Sequence, residues 1–258
     1  MGHIRLGRLP KTQPWSGVFE VLESESLDAT RLARATAEAA HGEFWAIGQD
    51  RAVNYCFWVL VRTATAARTS DFAAELERLG VEASNLTSGM AFVNRIAQAV
   101  DRGVRGRGQA TPFTQIATLS LREVLSANLV EQSKSLFGTS LQEIESACRR
   151  ISTQKRFGEV AKTFFANLMN RSIRFITDRE ISNHVGAAES ISSPKEVQRF
   201  EKALRRYCDE SAKIVEEFAA GWFSKHNWET NNDISEDATA AFTAYALEKI
   251  QMELREGR

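Results

Sequence analysis

The placement of proline constrains this chain more than any other feature. Only four prolines occur among 258 residues, and the two beyond Trp15 are Pro112 and Pro194. Each follows a hydroxyl residue, Thr111 or Ser193, at the start of a helical pattern. A hydroxyl side chain caps the free amides of a first helical turn, and proline at the first helical position loses no hydrogen bond. Beyond Trp15, the chain is therefore compatible with long helices.

Apolar residues repeat with the period of an α-helix. One stripe steps by threes and fours over about six turns, and it consists of Phe200, Leu204, Tyr207, Ser211, Ile214, Phe218 and Trp222. No stretch alternates with period two. The sequence therefore predicts an all-α fold, a bundle of about nine or ten helices. We expect them at 16–23, 28–41, 47–68, 71–79, 89–102, 112–136, 141–151, 154–185, 195–222 and 235–255.

A stretch rich in glycine and arginine, DRGVRGRGQATP at 101–112, interrupts this pattern. Glycine at this density is typical of a mobile loop. We therefore expect two packed helical subdomains. An N-terminal subdomain with a docking tail would occupy 1–103, an Arg/Gly-rich loop 104–111, and a C-terminal helical bundle 112–258.

Composition limits the classes of function. Lys and Arg number 33, as do Asp and Glu, so the bulk charge gives no sign of a nucleic-acid-binding protein. Cys56, Cys148 and Cys208 have neither zinc-site nor disulfide spacing and predict core residues in a reducing compartment. The longest apolar run, YCFWVLV, is far short of the ~20 residues of a membrane span. We expect a soluble, cytoplasmic protein with no membrane association, metal or cofactor.

One short motif suggests chemistry. In RFITDREISNHVG, Arg179 and His184 lie on a predicted helix, and their spacing resembles the Arg-x(4–6)-His signature of the all-helical HEPN ribonucleases. Glu180 stands where that family has Asn, Asp or His. The resemblance implies metal-independent RNA cleavage, with the histidine acting on the 2′-hydroxyl or the leaving oxygen and the arginine stabilising the phosphate. The alternative is structural, because a histidine near a helix end can cap the last turn.

A second pair that fits the same signature, Arg34 and His41, has no further support in the sequence.

Two segments are candidate partner-binding surfaces. The segment GWFSKHNWETNND begins at the end of the predicted helix 195–222 and interleaves aromatic with polar residues. Aromatic side chains in such a segment can anchor an interface, stack on a ligand or on bases, or fill the end of a helical bundle. GHIRLGRLPKTQPW is a tail whose aliphatic residues would pack on its own domain, a partner or a second copy. The candidate partner-binding residues are Ile4, Leu6, Leu9, Trp15, Trp222, Phe223 and Trp228.

A nucleic-acid-binding surface requires the arginines of the tail and of the loop to share one face. These residues are Arg5, Arg8, Arg102, Arg105 and Arg107. The sequence does not show whether they do.

The leading hypothesis is a non-enzymatic, all-helical interaction or scaffold subunit. The strings GHIRLGRLPKTQPW and GWFSKHNW resemble segments of bacterial proteins, so we expect a bacterial multi-protein assembly, with an accessory role in a phage-defence or mobile-element cassette as one setting. The alternatives are a HEPN-like ribonuclease using Arg179 and His184, and a helical nucleic-acid-binding module. A protein partner is expected, and homo-oligomerisation stays open.

Overall fold

The all-α prediction is confirmed. A computed structural model describes residues 13–24, 27–84, 86, 88–130, 140–183 and 193–256, and this part of the chain contains twelve α-helices and no strand. A 3₁₀ turn at Gln13–Trp15 precedes the first helix, and a π-helical turn at Ser126–Val130 follows the seventh. The helices are α1 (Ser16–Leu22), α2 (Ala29–Ala39), α3 (His41–Gln49), α4 (Arg51–Ala66), α5 (Phe72–Arg78), α6 (Gly89–Gly106), α7 (Pro112–Leu125), α8 (Leu141–Ile151), α9 (Gln154–Asn183), α10 (Pro194–Ser211), α11 (Lys213–Glu229) and α12 (Glu236–Glu256).

The helix count exceeds the predicted nine or ten at two places. The carboxylate of Asp50 accepts hydrogen bonds from the amides of Ala52 and Val53, so α4 starts there and α3 precedes it as a separate helix. The predicted helix 195–222 is two helices, α10 and α11, which meet at Ala212. The apolar stripe continues across this break, and for that reason the periodicity did not reveal it.

The two helix starts predicted from a hydroxyl residue ahead of proline are confirmed. The amide of Thr111 donates to the Thr114 hydroxyl at 2.9 Å ahead of Pro112. The hydroxyl of Ser193 accepts from the amide three residues on, and Ser140 begins α8 with a capping box. These caps satisfy amide groups that a helix leaves without partners at its first turn.

The glycine-rich stretch is mostly helical, because α6 continues through Gly106 and only 107–111 connect it to α7. Gly103 lies inside α6, where a Cβ atom would stand 2.6 Å from the ring of Tyr55. This glycine therefore allows close packing instead of ending the helix. The turn comes at Gly108, whose φ is +64°. The division into two subdomains stays a prediction.

The centre of the core is a group of phenylalanines around α4. The Phe57 ring lies 5.3 Å from Phe164 and 4.8 Å from Phe165 on α9, and 5.5 Å from Phe242 on α12. Phe157 of α9 stacks on Phe223 of α11 with the ring centroids 3.7 Å apart. One continuous apolar cluster includes buried residues from every helix.

Two glycines give opposite predictions for the same substitution. A Cβ atom at Gly158 on α9 would collide with the backbone of Glu216 and lie 3.2 Å from Ala220, so Gly158→Ala should destabilise the protein by about 1–3 kcal/mol. Gly221 on α11 has no atom within 4 Å of that position, so Gly221→Ala should stabilise it by about 0.5–1 kcal/mol. Urea unfolding of both variants measures the two changes, and a stabilising Gly158→Ala would contradict the close packing of α9 on α11.

Candidate functional site

Most of the tryptophan-rich segment is the second half of a helix and not the loop after one. The sequence predicted that the helix would end at Trp222, but α11 continues to Glu229. Phe223 is fully buried, and Trp222 is half-buried with its ring 4.5 Å from Phe242. Trp228 is 85 % exposed. Helical rotation of ~100° per residue therefore separates the three aromatic side chains into a core residue, a boundary residue and a surface residue.

Among the described residues, most of the exposed large apolar side chains lie on three helices that pack together. In the ranges that the structure describes, six large apolar side chains are exposed, and the sixth is Met90 on α6. The other five lie on α3, α11 and α12, and α12 packs against both other helices. We call these five residues the docking face: Trp45, Ile214, Trp228, Tyr245 and Met252.

Side chains beneath the docking face hold α12 against α11. The ring of Phe218 meets Tyr245 edge-on at 5.2 Å and lies 5.4 Å from Phe242. On the other side of Tyr245, the ammonium group of Lys249 lies 5.4 Å from the ring centroid. Tyr245 is thus held between two helical neighbours while nearly half of its surface stays open to solvent. An aromatic side chain fixed in this way loses little entropy when a partner covers it.

Buried polar contacts hold α12 against α2 and α3. The side-chain amide of Gln251 donates to the carbonyl oxygen of Ala37, and its Oε1 lies 3.1 Å from Nδ1 of His41. Gly48 of α3 lies against the backbone of Ala244. Trp45 is on the same short helix and is 65 % exposed. These contacts place Trp45 and the α12 residues on helices that are fixed side by side.

The connection between α11 and α12 is anchored from α4. The guanidinium group of Arg62 donates to the carbonyl oxygen of Asn232 at 3.3 Å and to the carboxylates of Asp233 and Glu75. The indole N–H of Trp58 donates to the carbonyl oxygen of Ile234. Asn231 and Asn232 adopt positive φ, a conformation that asparagine tolerates better than most residues. The chain therefore turns sharply directly after Trp228 and returns as α12.

The arginines of the predicted loop do not form one free face. Arg102 donates to the carbonyl oxygen of Gly80 at 2.7 Å, and Arg107 donates to both carboxylate oxygens of Glu236 at 2.9 and 2.7 Å. The Arg107 guanidinium group also lies 4.4 Å from the centroid of the Tyr55 ring. Both arginines therefore have structural partners.

Burial raises the pKa of the Tyr55 hydroxyl, and the positive charge of Arg107 opposes this rise. Arg105 remains exposed, 3.9 Å from Asp101. Beside α6, a groove of about 870 Å³ is lined by Arg95 and Arg102 but also by Glu77 and Glu82, so its charge is mixed.

The other candidates divide into those inside and those outside the described residues. Trp15 is only 5 % exposed and packs in the core. Arg34 lies beside the Tyr207 hydroxyl, whereas the His41 ring contacts Gln251, so the two members of this second pair have different neighbours. The remaining candidates lie outside the residues whose side chains the structure describes, and they are Ile4, Arg5, Leu6, Arg8, Leu9, Arg179 and His184. The ribonuclease, which requires the last two, therefore stays a prediction.

The three cysteines are not suited to nucleophilic chemistry. All three are fully buried. Burial raises the pKa of the Cys56 and Cys208 thiols to about 12, and it raises the pKa of Cys148 as well. Each thiol is therefore protonated at neutral pH, whereas the thiolate is the reactive form.

The described residues lack two further features. They contain no group of three or more His, Cys, Asp or Glu side chains arranged to hold a metal ion. No helix among them has both the length and the apolar character needed to cross a membrane.

No family model, curated protein or solved structure matches the chain.

Arg62 should be far more important for stability than its neighbour Arg78, although both pair with Glu75. The Arg62 side chain is 11 % exposed and that of Arg78 is 72 % exposed. Arg62→Met leaves Glu75 and the α11–α12 turn without a buried donor, so it should cost about 2–4 kcal/mol. The matched control Arg78→Met should cost less than about 1 kcal/mol. Urea unfolding followed by tryptophan fluorescence measures both, and equal costs would contradict the anchoring role.

The native protein should not react with a chromogenic disulfide reagent at neutral pH. Cys56, Cys148 and Cys208 are inaccessible and protonated, so each needs unfolding before it reacts. Absorbance should show no release of chromophore from the folded protein and full reaction of all three thiols in denaturant. Rapid reaction of one thiol in the folded state would show that the core around it opens.

Proposed function

We propose that this chain is a non-catalytic, helical interaction subunit that binds a partner protein through the docking face. The single observation that carries the proposal is that five of the six exposed large apolar side chains in the described part lie on three adjoining helices. Scattered apolar residues are normal on protein surfaces, but a concentration of them marks an interaction site.

The composition of the docking face favours a protein partner over other ligands. Tryptophan, tyrosine and methionine are enriched in the centres of protein–protein interfaces, and charged residues are depleted there. A small-molecule site is concave and encloses its ligand, whereas the members of this face are exposed on the outside of their helices. A nucleic-acid surface would present free cations, and the lysine beside Tyr245, Lys249, lies on the ring of that tyrosine.

Two anchors should dominate binding. Trp228 is the most exposed of the large apolar residues, and Tyr245 carries a hydroxyl group on a ring that Phe218 and Lys249 hold in place. Energetic hot spots of interfaces are enriched in these two residue types and typically contribute about 2 kcal/mol or more each. The partner surface that would cover them is apolar, with room for two aromatic rings.

The biological setting of the proposal is based on the sequence alone. A bacterial multi-protein assembly, with a phage-defence or mobile-element cassette as one setting, stays part of the proposal.

Site-specific photo-crosslinking in the native host tests the proposal. A photoreactive phenylalanine at Ala241, an exposed position one turn before Tyr245, should capture one specific protein. The same probe at Gln98 on α6 should not capture it. Adding Trp228→Ser and Tyr245→Ser should abolish the adduct, because the loss of about 2 kcal/mol per anchor weakens binding at least about 30-fold each.

The matched control is Met90→Ser, which removes an exposed apolar side chain outside the docking face. It should leave the adduct unchanged, and thermal unfolding should show that all these variants stay folded. Tyr245→Ser should cost the most, about 0.5–1.5 kcal/mol, because it removes the ring contact with Phe218. An adduct that survives the double substitution, or that forms equally from position 98, would contradict the proposal. A captured second copy of this chain would identify the partner as a homo-oligomer.

A further inference from the structure

The exposed side of α10 carries a straight row of cations. Lys195, Arg199, Lys202 and Arg206 follow one another at spacings of four, three and four residues, and all are exposed. With ~100° of rotation per residue, the four side chains lie within about 60° of one another on the helix. The row is about 16 Å long at a rise of 1.5 Å per residue. We call these four residues the basic stripe.

The basic stripe lies on the side of α10 that faces away from the core. The buried residues of the helix, among them Phe200, Leu204 and Tyr207, lie on the opposite side. The Tyr207 hydroxyl donates to the carbonyl oxygen of Leu254 at 2.7 Å and so attaches α10 to α12. The cations therefore project from a helix that is fixed in position.

The carboxylates of α10 leave most of the stripe unneutralised. Glu201 accepts from Arg174 at 2.9 Å, and Asp209 approaches Lys162, so both face α9. Within the stripe, Arg206 is paired with Glu210 at 3.0 Å. Among the described residues, no carboxylate forms an ion pair with the other three cations of the stripe, Lys195, Arg199 and Lys202. A chain with zero net charge thus concentrates unpaired positive charge along one line.

We propose that the basic stripe binds the phosphate backbone of double-stranded nucleic acid, without reading its sequence. The duplex carries one phosphate charge per ~1.7 Å of its axis when both strands are counted, so phosphates are available along the whole length of the stripe. The other exposed residues beside the stripe are Gln198, Ala203 and Arg205, and the half-exposed carboxylates of Asp209 and Glu210 lie at its end. No aromatic or long apolar side chain is therefore present to stack on bases or enter a groove. A surface of this kind supplies phosphate contacts alone, which position a duplex but do not specify bases.

The same features argue against the other anionic partners. A protein interface requires an apolar centre with few charges, and the basic stripe has no large apolar residue. A peripheral membrane helix requires apolar side chains that enter the lipid, and these are equally lacking here. The stripe is also a narrow line on a convex helix, which matches the strand of a duplex better than a plane.

The proposal is independent of the docking face. The two surfaces are on different helices and share no residue, so a variant of one leaves the other intact. Failure of the crosslinking experiment and failure of duplex binding would therefore be separate results.

The test compares two triple variants of the full chain. Lys195→Gln, Arg199→Gln and Lys202→Gln together remove the unpaired cations of the stripe. The matched control removes the same charge from exposed positions on α6, α8 and α9, by Arg105→Gln, Arg149→Gln and Lys155→Gln. Fluorescence anisotropy with short labelled DNA and RNA duplexes, at salt concentrations between about 50 and 200 mM, gives affinity and its salt dependence.

The unsubstituted protein should bind at the low end of that salt range, with an affinity that falls steeply as salt rises. The stripe variant should bind at least about tenfold more weakly, and the slope of log K against log salt should decrease by about 3, or roughly 0.9 per lost phosphate contact. The control variant should keep both values. Tighter binding of one duplex than the other would assign the source as DNA or RNA.

Three results would overturn the proposal. They are no duplex binding at about 50 mM salt, an equal loss in the two triple variants, and preferential binding to vesicles containing phosphatidylserine.

Discussion

The packing of α4 against its neighbours is the constraint on which the rest of the structure depends. Most of its residues are buried, so the helix must be covered on nearly every side. Phe57 at its centre contacts aromatic rings from α9 and α12, and Arg62 one turn later reaches the turn between α11 and α12. Because one helix sets the positions of three others, the surfaces of α11 and α12 follow from the core beneath them.

Much of the fold is visible in the sequence because helix signals are local. The capping residues Thr111, Ser140 and Ser193 and the terminal glycine Gly80 each act within one turn of chain, and each has its predicted place. The errors come from tertiary contacts. Gly103 reads as a helix end, but it is a helical glycine beside the ring of a residue 48 positions earlier in the sequence, Tyr55. The local sequence does not show that the Tyr55 ring occupies the space that a side chain at Gly103 would need.

The candidate site shows the same limit at finer scale. The sequence identified the aromatic cluster Trp222, Phe223 and Trp228, but it gave all three one role. A single additional fact, that α11 continues to Glu229, sends their side chains in different directions. Trp45 and Tyr245 were missed because their exposure depends on how helices pack, and α3, which packs against α12, is far from it in the chain. In the sequence, such a residue is recognisable as an apolar residue outside the buried stripe of its own helix. This pattern indicates an interaction surface only when several such residues lie close together in the fold.

The net charge of the chain has a comparable limit, because a sum over all residues does not show where the individual charges lie. The arginines that looked free in the glycine-rich stretch are mostly bound, Arg102 to a backbone carbonyl and Arg107 to Glu236 and Tyr55. The cations of α10 alternate with acids along the sequence, so no run of like charge marks them. In the structure the acids Glu201 and Asp209 turn towards α9, and the helix separates its charges by face. Helical periodicity acts on charge as it does on apolar residues, so a neutral chain can present both an apolar surface and a cationic line on separate helices. The stability of the bundle requires neither surface, because their side chains are exposed and most of the buried contacts lie beneath them.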